Sequence, residues 1–172
     1  QHLVAARIRP ARQQIAMEHN PTLHQFMDYT TTSPLVPPGR ERIYALGLLA
    51  GLNGDFLVST HLLMPQLEES LRFLLNKINV RTSGLSSEGL QREYDLDRLL
   101  EMPEVGEILS NDIAFDLQGL LVHPFGSNLR NRLAHGLMSW NDFRSPWVEY
   151  LWWAILRLCI LPVLRYHQRE CQ

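Results

Sequence analysis

Cysteine is scarce, with only Cys159 and Cys171 in 172 residues. On one helix, a twelve-residue spacing separates two thiols by about 18 Å, too far for a bridge. The expectation is reduced thiols and an intracellular, cytoplasmic setting. Histidine and cysteine at paired metal-ligand spacing are missing too. His61, His123 and His135 come from three separate segments, so the pattern implies no metal and no cofactor. An excess of positive charge is also absent: 16 Lys and Arg face 18 Asp and Glu, for a formal net charge of -2. That excludes a chain that grips nucleic acid over its whole surface, and any RNA must be held by a local basic cluster. The longest apolar run, Tyr150 to Tyr166, falls short of the roughly 20 residues that span a bilayer. It carries Arg157 near its middle, and Pro162 would kink it. A bundle helix, not a membrane span, is the expectation. No stretch alternates like a strand, and no repeat or low-complexity block occurs.

What is present reads as helices. A hydrophobic content of 45% over 172 residues suffices for one sizeable core. Residues 1–38 are expected to form an N-terminal helical extension that ends in a Thr- and Pro-rich linker, Thr30 to Gly39. Residues 39–172 are expected to form the main bundle. Gln1 lies in a helix-like, Arg-containing stretch without Met or leader, so further domains before it are expected. Ile43, Leu46, Leu49 and Ala50 mark a helix that ends near Asn53-Gly54. A long one follows from Asp55 to about Asn79, with Pro65 as a possible kink point. Arg81 to Gly89, rich in Ser and Gly, is expected to be a loop. Short helices follow over Asp95 to Met102 and Glu104 to Leu109, then one reaching Val122. Ser127 or Asn128 is expected to cap the next, and Ser145-Pro146 opens the last long helix. An all-α, antiparallel helical bundle with short additional helices is the economical architecture. Trp140, Trp147, Trp152 and Trp153 crowd into one segment, more aromatic surface than one helix easily buries. A partner subunit is the expected cover.

One segment concentrates chemistry: Asn128-Leu129-Arg130-Asn131-Arg132-Leu133-Ala134-His135. A guanidinium, an amide and an imidazole within about one and a half turns are what a phosphodiester-cleaving site needs without a metal. At about 100° per residue, Leu129, Leu133 and Leu137 form one apolar stripe. Asn128, Asn131, His135 and Ser139 fall roughly opposite. The plainer reading of the same residues makes Arg130 an ion-pair partner for Glu68 or Asp116 and His135 a hydrogen-bonded interface histidine. Likewise Glu68, Glu69 and Arg72 usually form intrahelical pairs.

The Arg130-Asn131-x-x-x-His135 string, which follows a Gly-Ser loop in a helical chain, resembles the Arg-x4-6-His signature of the HEPN superfamily. A second stretch, His61-Leu62-Leu63-Met64-Pro65-Gln66-Leu67-Glu68-Glu69-Ser70-Leu71-Arg72, stands upstream of Gly126-Ser127-Asn128-Leu129-Arg130-Asn131. Together they are similar to the branch that includes the endoplasmic reticulum membrane-associated RNA degradation protein. The resemblance covers about residues 40–168 and implies a HEPN-type bundle and RNA as the partner. It also implies a parent protein that is membrane-associated. Some HEPN toxins carry Tyr two residues beyond the histidine, where a nucleotidyltransferase modifies them. Leu137 stands there, so that style of regulation does not carry over.

The resemblance also implies roles. His135 is the expected general acid or base and Arg130 the clamp on phosphate and transition state. Asn131 is expected to orient His135 or the phosphate, being four residues away on one face. Asn128, Arg132 and Arg72 are candidate RNA or phosphate contacts, with Glu68 behind them. One chain supplies a single His135, so a homodimer is expected to build the site. The expected activity is RNA cleavage by 2′-hydroxyl attack, without metal. The alternative is a HEPN-type module that binds RNA or nucleotides, or only dimerises, without turnover. The RNA target and the activating signal are not written in the sequence.

Overall fold

A computed structural model describes residues 2–85 and 89–170, with side chains to residue 163. The chain is mostly helical. Val4–Ile8 forms a π-helical turn that runs into α1, Arg9–His19, and α2 to α10 follow at Leu23–Thr32, Glu41–Leu52, Phe56–Lys77, Leu96–Leu100, Pro103–Leu109, Asn111–Leu121, Leu129–Ala134, Trp140–Phe143 and Pro146–Glu170. Between α4 and α5, Ser83–Leu85 (β1) and Gln91–Glu93 (β2) pair antiparallel, with Gly84 opposite Arg92. Arg81 to Gly89 was expected to be only a loop. Three-residue strands are too short to show alternation, and the Ser and Gly content hides the pairing.

The chain divides into two compact units, residues 1–67 with 137–172, and residues 68–136. In the first, α10 packs on the π-helical turn, α2 and α3. Its inward face carries Val148, Leu151, Trp152, Ile155, Cys159 and Val163. The face that α3 buries is Tyr44, Ala45, Gly47, Leu48, Gly51 and Leu52, while Leu46 is exposed. The apolar pattern through Ile43, Leu46 and Leu49 pointed elsewhere, because small residues set the closest approach. A Cβ on Gly51 would stand 2.1 Å from the Trp152 ring, and one on Gly47 would stand 2.6 Å from Leu63. Trp152 Nε1 donates to the Leu48 carbonyl at 2.9 Å, so its polar edge is satisfied. Residues 33–39, read as a linker, lie inside this unit, with Leu35 and Val36 buried.

Arg9 and Arg12 do not form the solvated stripe usual for such spacing. Both donate to Glu149, 1% exposed, at 2.8 and 3.0 Å, and Arg12 also reaches the Leu52 carbonyl. Pro146–Val163 of α10 is long and apolar enough to cross a membrane by length and composition, with 39% of that window buried. The helices α4 and α10 continue through Pro65 and Pro162. Among the tryptophans, Trp152 is buried, Trp153 half-buried, and Trp140 and Trp147 are exposed. Cys171 lies outside the described residues.

In the second unit, Leu71 and Leu75 of α4 are buried, as are Leu96, Leu99 and Leu100 of α5, Val105 of α6, Leu117, Leu120 and Leu121 of α7 and Leu129 of α8. Ser110 opens α7, its hydroxyl accepting from the Ile113 amide. Gln118 of α7 donates to the Leu100 carbonyl at 2.5 Å, tying α7 to the end of α5.

Candidate functional site

The site is assembled where α7, a tight loop and α8 follow one another in the second unit. The His123-Pro124-Phe125-Gly126 turn closes with Gly126 N–H donating to the His123 carbonyl at 2.9 Å. The Phe125 amide donates to His123 Nδ1 at 3.3 Å. Ser127 N–H then donates to the Gly119 carbonyl of α7 at 3.0 Å, which fixes where α8 begins. Phe125 is left 97% exposed on this braced turn. The sequence does not mark it, since an exposed aromatic cannot be told from a core one by type alone.

Asn128 precedes α8 in the left-handed region, φ 48°, which Asn tolerates better than most residues. Its side chain does not cap the helix, contrary to expectation. The Oδ1 accepts instead from Asn131 Nδ2 at 2.8 Å. Asn131 Oδ1 in turn accepts from Arg130 Nη1 at 3.1 Å, and Arg130 Nη2 lies 3.5 Å from Glu68 Oε2. The other oxygen of Glu68 takes Arg72, which also donates to Glu69 at 3.3 Å and to the Tyr94 carbonyl at 3.0 Å. Asn128, Asn131, Arg130, Glu68 and Arg72 therefore form one continuous polar chain from the α8 start to the end of β2. Five of the seven proposed site residues belong to it. Of the two carboxylates considered for Arg130, Glu68 is the one it meets.

The His135 side chain is not joined to that chain of bonds. Arg132 is half-buried. His135 occupies the C-terminal cap of α8, its amide donating to the Asn131 carbonyl at 3.0 Å. Its ring is exposed. The Asn131 amide is joined to Asn128 and Arg130, and among the described residues no side-chain hydrogen bond links it to His135. Nor does the leucine stripe extend as the wheel required. Leu129 is 1% exposed, Leu133 half-buried, and Leu137 66% exposed. The cause is Gly136 at φ 66°, which ends the helix after a turn and a half because glycine takes the left-handed region without steric cost. Ser139, also placed on the polar face, instead caps α9 by accepting and returning bonds with Asp142.

His61 and His123 make local contacts. His61 Nδ1 lies 2.8 Å from the Leu57 carbonyl, and its ring packs 5.3 Å from Phe143. Among the described residues no group of three or more His, Cys, Asp and Glu is placed to hold a metal ion. Compared with models of known protein families, with curated proteins and with solved structures, the chain matches none.

Proposed function

We propose that the chain is a metal-independent endoribonuclease of HEPN type, acting as a homodimer in which two copies of α8 face one cleft. One observation carries the reading. On a single short helix, an exposed His135 stands five residues beyond Arg130, whose guanidinium is aligned by Asn131 and Glu68. Two of the five guanidinium donors are spent on those partners, leaving others for phosphate oxygens. Histidine is the side chain suited to exchange protons at physiological pH. In the proposed reaction one His135 takes the proton of the ribose 2′-hydroxyl, whose oxygen attacks phosphorus. The P–O5′ bond breaks, and the second protomer's imidazole protonates the leaving oxygen. A 2′,3′-cyclic phosphate and a 5′-hydroxyl result, while Arg130 meets the charge that grows on the non-bridging oxygens. The exposed Trp140 and Trp147 offer apolar surface that a second copy would cover. An intracellular setting, with a membrane-associated parent protein, belongs to the same proposal.

A second reading draws on the Arg130–Glu68 contact, which spends part of the Arg130 charge inside the protein. In it the unit binds RNA or nucleotides, or only dimerises, and does not cut. Incubation of labelled single-stranded RNA with wild type and His135→Ala in EDTA decides between them. Cleavage that is lost in the variant supports the nuclease. Binding without cleavage by the pure dimer supports the second reading.

A further inference from the structure

We propose that Glu68 is a resident counter-ion on Arg130, displaced by the phosphodiester that binds there. The inference rests on Arg130 as the anion clamp and adds what controls it. The two oxygens of Glu68 are divided between two guanidiniums, and the two contacts are unequal. Arg72 is held by Glu68, by Glu69 at 3.3 Å and by the Tyr94 carbonyl at 3.0 Å. Arg130 has the Asn131 amide at 3.1 Å and a Glu68 contact of 3.5 Å. The second distance is at the outer limit of a hydrogen bond. A phosphate, which can accept two parallel N–H bonds at shorter range, competes well with it.

The arrangement also removes the usual cost of breaking such a pair. A carboxylate stripped of its only cation in a partly desolvated place is strongly penalised. Here Arg72 stays bound when Arg130 turns away, so Glu68 keeps a counter-ion. The Arg130 and Glu68 side chains are 28% and 18% exposed, which opens the exchange to a ligand from solvent. Glu68 is then a positioning residue acting through Arg130: it holds the guanidinium aligned while the site is empty and sets the affinity that an entering phosphate must exceed.

The test measures anisotropy of a short, labelled, single-stranded RNA, 2′-O-methylated so that it cannot be cut, at one fixed salt concentration. The proteins are the full chain as wild type, Glu68→Gln, Glu69→Gln and Arg130→Ala. Glu68→Gln is expected to bind about two- to fivefold more tightly, the scale of an exposed ion pair. Glu69→Gln, which also removes one negative charge but pairs with Arg72, is expected to bind as wild type. A merely structural role for Glu68 cannot tighten binding. Should Glu68→Gln fail to fold, Glu68→Asp draws the carboxylate back by one methylene and is expected to tighten binding in the same direction. Equal gains in Glu68→Gln and Glu69→Gln, or weaker binding on changing Glu68, overturn the counter-ion while the clamp stands, provided Arg130→Ala loses binding. Undiminished binding by Arg130→Ala, or none by wild type, overturns the clamp and the counter-ion with it.

Discussion

Gly126 lies against Gly119 so closely that a Cβ on Gly126 would stand 1.8 Å from the Gly119 carbonyl oxygen. That same oxygen accepts from the Ser127 amide. The contact joins backbone to backbone, so no side chain can move aside to relieve it. It fixes the loop on α7 and therefore the position of α8 and Arg130. The relation is one-sided, since a Cβ on Gly119 would meet nothing within 4 Å.

Opposite signs follow for two alanine substitutions. Gly126→Ala forces the loop off α7 and should cost about 1–3 kcal/mol, the range for overpacking. Gly119→Ala, inside α7, should instead stabilise by about 0.5–1 kcal/mol, because alanine loses less backbone freedom in a helix. Urea unfolding of both variants measures the pair. A stabilised Gly126→Ala would show that the loop can leave α7 without loss.

How much of this was legible in the sequence can be judged from particular residues. Ser145-Pro146 announces the start of α10, because Pro at the first turn is a local device, whereas the cap of α7 is Ser110 and not the expected Asn111-Asp112. The register of Arg72 on Glu68 follows from spacing within one helix. The Tyr94 carbonyl could not be foreseen, because a backbone acceptor carries no residue type. Arg130 and His135 on one helix were legible; the choice between Glu68 and Asp116 was not. The α3 face is not visible in the apolar pattern because Gly47 and Gly51 pack by being small, which a count of apolar side chains misses. The leucine stripe fails at Gly136, where a glycine in the left-handed region ends the helix before Leu137 is reached.

The Glu149 carboxylate, 1% exposed between Arg9 and Arg12, predicts a ranked series. Glu149→Ala leaves Arg12, 11% exposed, without its carboxylate and should cost about 3–5 kcal/mol. Arg9 is 41% exposed, so water replaces its partner readily and Arg9→Ala should cost less, about 1 kcal/mol or under. Equal losses measured by denaturant unfolding would refute the assignment of Glu149 as the buried centre of the pair.

Alkaline pH should find a weak point at Cys159. Burial pushes this thiol up from 9.0 to about 12, with neighbouring Ser33 working in the opposite direction. The unfolded chain therefore releases the thiol proton at lower pH than the folded one. Below about pH 9 the contribution of Cys159 to stability is complete, and it is lost as pH rises from about 9 to about 12. Wild type and Cys159→Ala, unfolded in denaturant across that window, should differ in slope, with wild type falling more steeply. Parallel slopes would exclude a buried neutral thiol. For the same reason a thiol reagent at neutral pH should modify native Cys159 only on unfolding.

The chemical prediction is the most exposed to failure. If His135 moves protons and Arg130 stabilises the phosphorane, His135→Ala and Arg130→Ala should each lower RNA cleavage by roughly 10²-fold or more. Neither should unfold the helices, because His135 is exposed at a helix end and Arg130 is a partly exposed member of a chain that retains Glu68–Arg72. Circular dichroism of each variant checks that separation. EDTA should leave the rate unchanged, since every step is assigned to side chains. The products should carry a 2′,3′-cyclic phosphate and a 5′-hydroxyl, resolved by electrophoresis before and after phosphatase treatment. A substrate with one 2′-deoxy residue at the cut site lacks the nucleophile and should survive. Its cleavage at the ordinary rate would exclude 2′-hydroxyl attack. Because one protomer carries a single His135, mixing excess His135→Ala subunits into wild type should reduce the rate beyond simple dilution, as mixed dimers lose one of the two proton carriers. A rate that follows wild-type concentration alone would place both proton transfers within one chain and end the composite-site reading.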